Sequence, residues 1–353
     1  PIKSSLARTV GKLLGVYKDT DLSLRGDVQS TRYIVPPKLE LTGGTTVEYG
    51  GSRYHIFRTS TPSPTRFITI DQLSSNPTEN VIDFLVVAGG GGAGGGDNAY
   101  GGAGGAGGLV FRPAKPVSST GGPYTVTIGS GGAGQPIDNS NPGSNGANGG
   151  DTTIGSSPDP IYFISKGGGG GAIAAGHSFS TVGSSGGSGG GGGGGGAGTK
   201  DGASATQPSQ PGDSGTYGHG TAGHPGAVGG GGGGGAGAQG SPNNHGGNGY
   251  TVPEPFLPPA VPAPMASEIS PITTPSPEFR IFAGGGGRGP GGDAGTGGGG
   301  EGFNSDPVGS APAASQATDG RGGGGGSGTS NNPHAYAGDG GDGIVIVRYD
   351  YTA

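Results

Sequence analysis

The sequence predicts a mainly β fold in which a small β-sheet scaffold carries a bundle of polyglycine II helices, with one short α-helix at the N-terminus. Three observations predict it. Of 353 residues, 93 are Gly, and 86 of these lie after residue 88 in blocks. The blocks are punctuated by apolar segments of only four to seven residues. Residues 4–17 alone carry a helical stripe.

The N-terminal helix rests on Leu6, Val10, Leu13, Leu14 and Tyr17, which share one face at a 3.6-residue period. Ser4 or Ser5 serves as its cap. Gly11 and Gly15 weaken it by roughly 1 kcal/mol each relative to Ala, so it needs a partner surface. That surface is either its own domain or another protein. Residues 19–42 are polar and irregular, with Pro36-Pro37 as a stiff element. Arg25-Gly26-Asp27 is a tripeptide common by chance.

Residues 46–87 read as strands. Arg53 to Arg58 alternates in part, and Arg66 to Ile70 more clearly. Val81 to Val87 is a buried-strand candidate. Later candidates are Tyr124 to Ile128, Ile161 to Ser165, Phe279 to Phe282 and Ile344 to Tyr349. Between them lie Gly runs at 89–92, 94–96, 167–171, 189–196, 229–235, 284–287, 297–300 and 322–326. Residues 251–279 differ, with nine Pro and no Gly, and read as an extended loop insert. The domain reading is therefore 1–45 as an attachment segment and 46–353 as a glycine-rich domain.

Order in the Gly runs needs a backbone source, because glycine loses the most entropy and buries no side chain. A threefold extended helix makes no internal hydrogen bonds and points every N–H and C=O outward. Such helices pack side by side. Each mutual bond contributes about 0.5–1.5 kcal/mol net, which offsets the ordering cost only in a cooperative lattice.

Composition excludes several classes. Without Cys there is no disulfide scaffold or thiolate metal site. A Gly run of eight at 189–196 breaks any collagen triplet. The net charge of −6 divides into +5 over residues 1–66 and −11 beyond. The acidic part argues against nucleic acid, despite Arg288 and Arg321 in Gly blocks. No apolar stretch is long enough to insert in a membrane. The chain starts Pro1-Ile2-Lys3-Ser4, so we read the initiator Met as removed, and no secretory leader is visible.

No catalytic constellation is found. G-x-G-x-x-G carries no information at this Gly density. Lys200 follows Gly198-Thr199 in the wrong order for a phosphate loop, and H-E-x-x-H and a clear G-x-S-x-G elbow are absent. His219 and His224 are the closest His pair among His55, His177, His219, His224, His245 and His334. We read them as loop residues, not metal ligands. Asp339 and Asp342, in Gly-Asp-Gly-Gly-Asp-Gly, read as turn residues before the last strand, since the nine-residue calcium period is missing. The expectation is no enzyme, no cofactor and no metal.

A family resemblance rests on Phe84-Leu85-Val86-Val87-Ala88-Gly89-Gly90-Gly91-Gly92, the Gly/Ala block 101–108, and Tyr124-Thr125-Val126-Thr127-Ile128-Gly129. It continues through Asn148-Gly149-Gly150-Asp151-Thr152-Thr153 to the ending Gly343-Ile344-Val345-Ile346-Val347-Arg348-Tyr349. This order resembles the glycine-rich domain of tail-fibre and adhesin proteins of tailed bacteriophages, including phages of marine cyanobacteria. The resemblance implies a virion structural protein, assembled in the host cytoplasm and presenting loops to a host-surface glycan or protein. Leu6, Val10, Leu13, Leu14 and Tyr17 are then the anchor to other virion proteins. The alternative is a non-adhesive component such as a head decoration or tail adaptor. Aromatic and polar loop residues suit saccharide faces and hydroxyls, which nominates Tyr217, His219, Tyr250, Phe256 and Phe303 as contacts. A homo-oligomer, a trimer among fibres, stays open, because no heptad register specifies one.

Overall fold

Three apolar runs build the central sheet. β5 (Val81–Val87) pairs on one side with β16 (Ile344–Asp350) and on the other with β7 (Leu109–Pro116). The sheet continues through β3 (Ser52–Phe57) and β2 (Thr45–Tyr49), and ends at the other edge with β13 (Gly218–His219). All neighbours are antiparallel, and the register sets Val345 beside Val86 and Phe57. The computed structural model describes residues 36–61, 66–97, 100–135, 144–175, 179–195, 200–226, 229–241, 244–258, 277–289, 291–303, 314–328 and 337–351. The predicted helix over 4–17, with Leu6, Val10, Leu13, Leu14 and Tyr17, lies outside the described residues.

A second sheet has the order β1 (Glu40–Thr42), β4 (Phe67–Gln72), β8 (Gly121–Thr127), β9 (Thr152–Ile154) and β10 (Phe163–Ser165). The period of two in β5 divides its side chains between two cores. Phe84 and Val86 join Phe57, Val345 and Val347 against Ile68, Ile70, Val126, Ile154 and Phe163 of the second sheet. Leu85 and Val87 join Ile56, Ile344 and Ile346 against Val252, Phe256, Leu257, Phe279 and Phe282. The central sheet is thus buried on both faces, which is why β5 and β16 read as continuous apolar runs.

The Pro-rich excursion contributes to the second core from both of its described ends. β14 (Tyr250–Thr251) pairs with β15 (Ile281–Phe282), preceded by a 3-10 turn at Pro277–Arg280. The expected strand over 279–282 is therefore half turn. β1 and β2 belong to a compact unit that runs from Leu39. Strand β7 was not predicted. Its Leu-Val-Phe start is followed by Arg-Pro-Ala-Lys-Pro, and prolines argue against a strand. They are tolerated because pairing on the outer side involves Leu109, Val110 and Phe111, before the first proline is reached.

The glycine excursions are out-and-back segments anchored on these sheets. Residues 88–96 leave β5 and 101–108 return into β7; 129–135 leave β8 and 144–150 return to β9; 337–343 return to β16. A three-residue period governs their bonding. Ala88, Gly91 and Gly94 donate to Gly108, Gly105 and Gly102. Gly89 and Gly92 donate to Gly150 and Ala147, and Gly90 and Ala93 to Gly341 and Gly338. The carbonyls turn to three other segments. Gly168 and Gly171 donate to Gly89 and Gly92, Gly132 and Gln135 to Gly90 and Ala93, and Gly325 to Gly91. One segment therefore bonds to six neighbours. The segment 101–108 does the same, with partners in 88–96, 166–173, 188–194, 229–236, 283–289 and 321–327.

This spacing leaves no room for Cβ. On Gly104 it would stand 2.0 Å from the Gly91 carbonyl oxygen. Methyl groups fit only at selected positions such as Ala103 and Ala106, both fully buried and three residues apart. Where a neighbouring segment is missing, side chains stand in for it. Asn145, Asn148 and Asp151 accept from the amides of Ile173, Gly170 and Gly167. Asp339 and Asp342 accept from those of Gly134 and Gly131. The Gly-Asp pattern is thus more than a turn. It is a rim acceptor series at the same three-residue period. Two smaller pairings complete the fold: β11 (Ala174–Ala175) lies between β12 (Phe179–Ser180) and β6 (Gly96–Asp97), and a single turn, α1 (Asp213–Thr216), precedes β13.

Candidate surface-contact site

Edge strand β13 positions His219 opposite Leu109. The imidazole stacks on Tyr250 at 4.0 Å between centroids and 24° between planes. Tyr250 tilts against Phe111 at 6.5 Å, and Phe111 meets Phe256 edge-on at 5.2 Å. Four rings therefore run from half-buried His219 and Tyr250 inward to Phe256, which is 2% exposed. The Tyr54 hydroxyl donates to the Phe256 carbonyl and holds that end in place. Burial pushes the His219 pKa down, so the ring stacks as the neutral imidazole at neutral pH.

Tyr217 lies two residues away but packs with the core between the sheets. Its ring carries the Arg112 guanidinium at 4.4 Å. Arg112 and Lys115 both bind Asp213, at 3.2 and 2.8 Å. Burial opposes ionisation of Asp213, but these two cations hold its carboxyl below the usual range.

The five sequence candidates thus divide. His219 and Tyr250 meet, and both are half-buried. Phe256 is a core residue and not a surface contact, because Val252, Leu257, Phe279 and Phe282 enclose it in one apolar cluster. Phe303 is also buried, and its amide donates to the Ser327 carbonyl in a different part of the lattice. Sequence reading missed Phe111, Arg112 and Lys115, all in the unpredicted β7.

Among the described residues no group of three His, Asp or Glu side chains is arranged to hold a metal ion. His224 Nδ1 lies 2.6 Å from the Pro225 carbonyl and serves the local turn. His177 and His334 lie outside the described residues. No helix among the described residues is long and apolar enough to cross a membrane.

Two packed sheets carrying a glycine lattice define a class of scaffold in which backbone bonding replaces much of the side-chain core. The chain belongs to the glycine-rich domain family, whose model matches residues 70–350. That span opens inside β4 and closes with β16, so it takes in nearly the whole lattice. No curated protein matches the sequence.

Proposed function

We propose that this chain is a structural protein of a tailed-phage virion, an adhesin-type tail-fibre component whose glycine segments are polyglycine II helices. The single observation behind the reading is the three-residue bonding period, with six neighbours around one segment. Threefold extended helices send N–H and C=O groups outward in three directions. A lattice of them anchored on two sheets is a stiff mount, suited to holding a surface at a fixed place on a particle. Residues 1–38, which precede the compact unit and carry the apolar stripe from Leu6 to Tyr17, are assigned to attachment. The His219–Tyr250 stack is assigned to host-surface contact, since a neutral ring pair offers a flat face to a sugar.

A non-adhesive role, as a head decoration or tail adaptor, is the second reading. The burial of Phe256 and Phe303 favours it, because it reduces the aromatic surface available to a receptor. Binding of the labelled full-length chain to cells of the bacterium that supports the phage separates the two. The adhesin reading expects saturable binding, reduced roughly tenfold by replacing both His219 and Tyr250 with Ala. Absence of binding by a folded chain leaves the structural component. Loss of residues 1–17 should abolish incorporation into particles under either reading.

A further inference from the structure

We propose that Arg288, packed on Tyr100 at the lattice end away from the two large sheets, is a binding site for a single carboxylate group, supplied by an acidic saccharide of the host surface. The choice of a saccharide rests on the adhesin reading; the carboxylate site does not.

Three lattice segments bring the site together. Residues 283–289 leave β15, so Arg288 stands at their far end. Tyr100 lies between the outgoing 88–96 and the returning 101–108. Gly229 opens the returning 229–236. The Arg288 Cζ lies 4.2 Å from the Tyr100 ring centroid. A Cβ on Gly229 would stand 1.8 Å from Nη2 and 2.2 Å from Cζ, so only glycine lets the backbone lie this close to the guanidinium. The backbone around it is fixed: Arg288 donates its amide to Asn244 and accepts from Gly292. A parallel bridge ties it to Ser327.

Among the described residues the guanidinium has no acid partner. Arg288 is 5% exposed, and its Nε is sealed without a hydrogen-bond partner. No carboxylate among the described residues pairs with it. Burial accordingly pushes its pKa down to about 10, against a favourable contribution from Tyr100. A buried cation without an acid is destabilising unless something compensates it. Three other described cations have carboxylate partners: Arg348 has Asp83 and Asp350, Lys115 has Asp213 and Arg280 has Glu254. A planar fork held on an aromatic ring matches a planar carboxylate, and the ring offers a face to an attached sugar. The net −11 of the glycine-rich part selects a single acid group over a polyanion.

The test is calorimetric titration of the full-length chain with sodium glucuronate, sodium acetate and glucose. Glucuronate should bind at least roughly ten times more tightly than glucose. Acetate binding as well as glucuronate supports recognition of the carboxylate alone. Tighter binding of glucuronate than acetate adds the sugar ring on Tyr100. Arg288→Lys keeps the stem and the charge, guarding against loss of fold, but loses the fork. It should weaken glucuronate roughly tenfold. Tyr100→Leu, a second variant, should weaken glucuronate more than acetate. Glucose binding as tightly as glucuronate, no glucuronate binding, or wild-type affinity in folded Arg288→Lys would overturn the proposal. A chain that binds glucuronate but not host cells keeps this site and removes the adhesin reading; the converse removes this site alone.

Discussion

Replacing Gly104 by Ala tests the lattice at its centre. The new Cβ would lie 2.0 Å from the Gly91 oxygen, 2.8 Å from its carbon and 2.9 Å from the Gly325 nitrogen. All three are backbone atoms and cannot rotate away. Restoring ordinary contact means moving segments apart by about 1.4 Å, since a hydrogen bond tolerates far less stretch. Three bonds lie in the way: Gly104 to Gly325 at 2.9 Å, Gly325 to Gly91 at 2.9 Å, and Gly286 to Gly104 at 3.0 Å. Each buried group left unsatisfied costs about 1–3 kcal/mol. Removing glycine from the unfolded chain returns about 0.4–1 kcal/mol. The net loss is about 2–8 kcal/mol, a large share of a typical total. For a domain of this size that lowers Tm by roughly 4–16 °C. The control is the adjacent Ala103→Gly, which removes an accommodated methyl and should cost only about 1 kcal/mol. Thermal unfolding followed by circular dichroism measures both. Equal shifts in the two variants, or a Gly104→Ala shift under about 2 °C, would refute the packing argument.

Other predictions concern titration and the lattice rim. His55 Nδ1 donates to the Gly43 carbonyl at 2.7 Å while Nε2 is buried without a partner. Burial pushes its pKa down. Its contribution is therefore complete above the unfolded value of about 6.5 and declines as pH falls. Urea unfolding at acid and neutral pH should show this loss, and His55→Gln should flatten it; an unchanged slope counts against the assignment. Asp213→Asn removes the charge shared by Arg112 and Lys115 and should cost about 1–2 kcal/mol at neutral pH. Because the Asp213 pKa is depressed, that cost should shrink on titration below about pH 4. Asn148→Ala orphans the Gly170 amide and should cost about 1 kcal/mol, whereas Asn148→Asp keeps the acceptor and should cost less. Denaturant midpoints that rank the two variants the other way would contradict the rim role.

The parts legible in the sequence were those that side chains specify. Val81 to Val87 and Ile344 to Tyr349 declared themselves as strands by unbroken apolar character, because both faces of their sheet are buried. The Gly blocks announced a lattice by the same logic of what glycine cannot bury. Which segment bonds to which was not legible, since glycine is alike everywhere. The available clues are sparse side chains at a three-residue period, such as Ala103 with Ala106 and Asp339 with Asp342. β7 was hidden by Pro113 and Pro116. The burial of Phe256 was not legible, because a Phe among prolines looks like a loop residue. Its neighbours in the second core come from elements distant in sequence. His219 and Tyr250 were recognised as aromatic loop residues, but their stacking depends on β13 and β14, each only two residues long.

The central claim is that backbone bonding with a three-residue period holds the glycine segments together. Through-bond nitrogen-to-carbonyl couplings across hydrogen bonds, measured by NMR on the isotopically labelled full-length chain, test it most directly. The account predicts that the amides of Ala88, Gly91 and Gly94 couple to the carbonyls of Gly108, Gly105 and Gly102. Those of Gly89 and Gly92 should couple to Gly150 and Ala147, and those of Gly90 and Ala93 to Gly341 and Gly338. Couplings that alternate every second residue, or fast-exchanging glycine amides with no couplings, would contradict it.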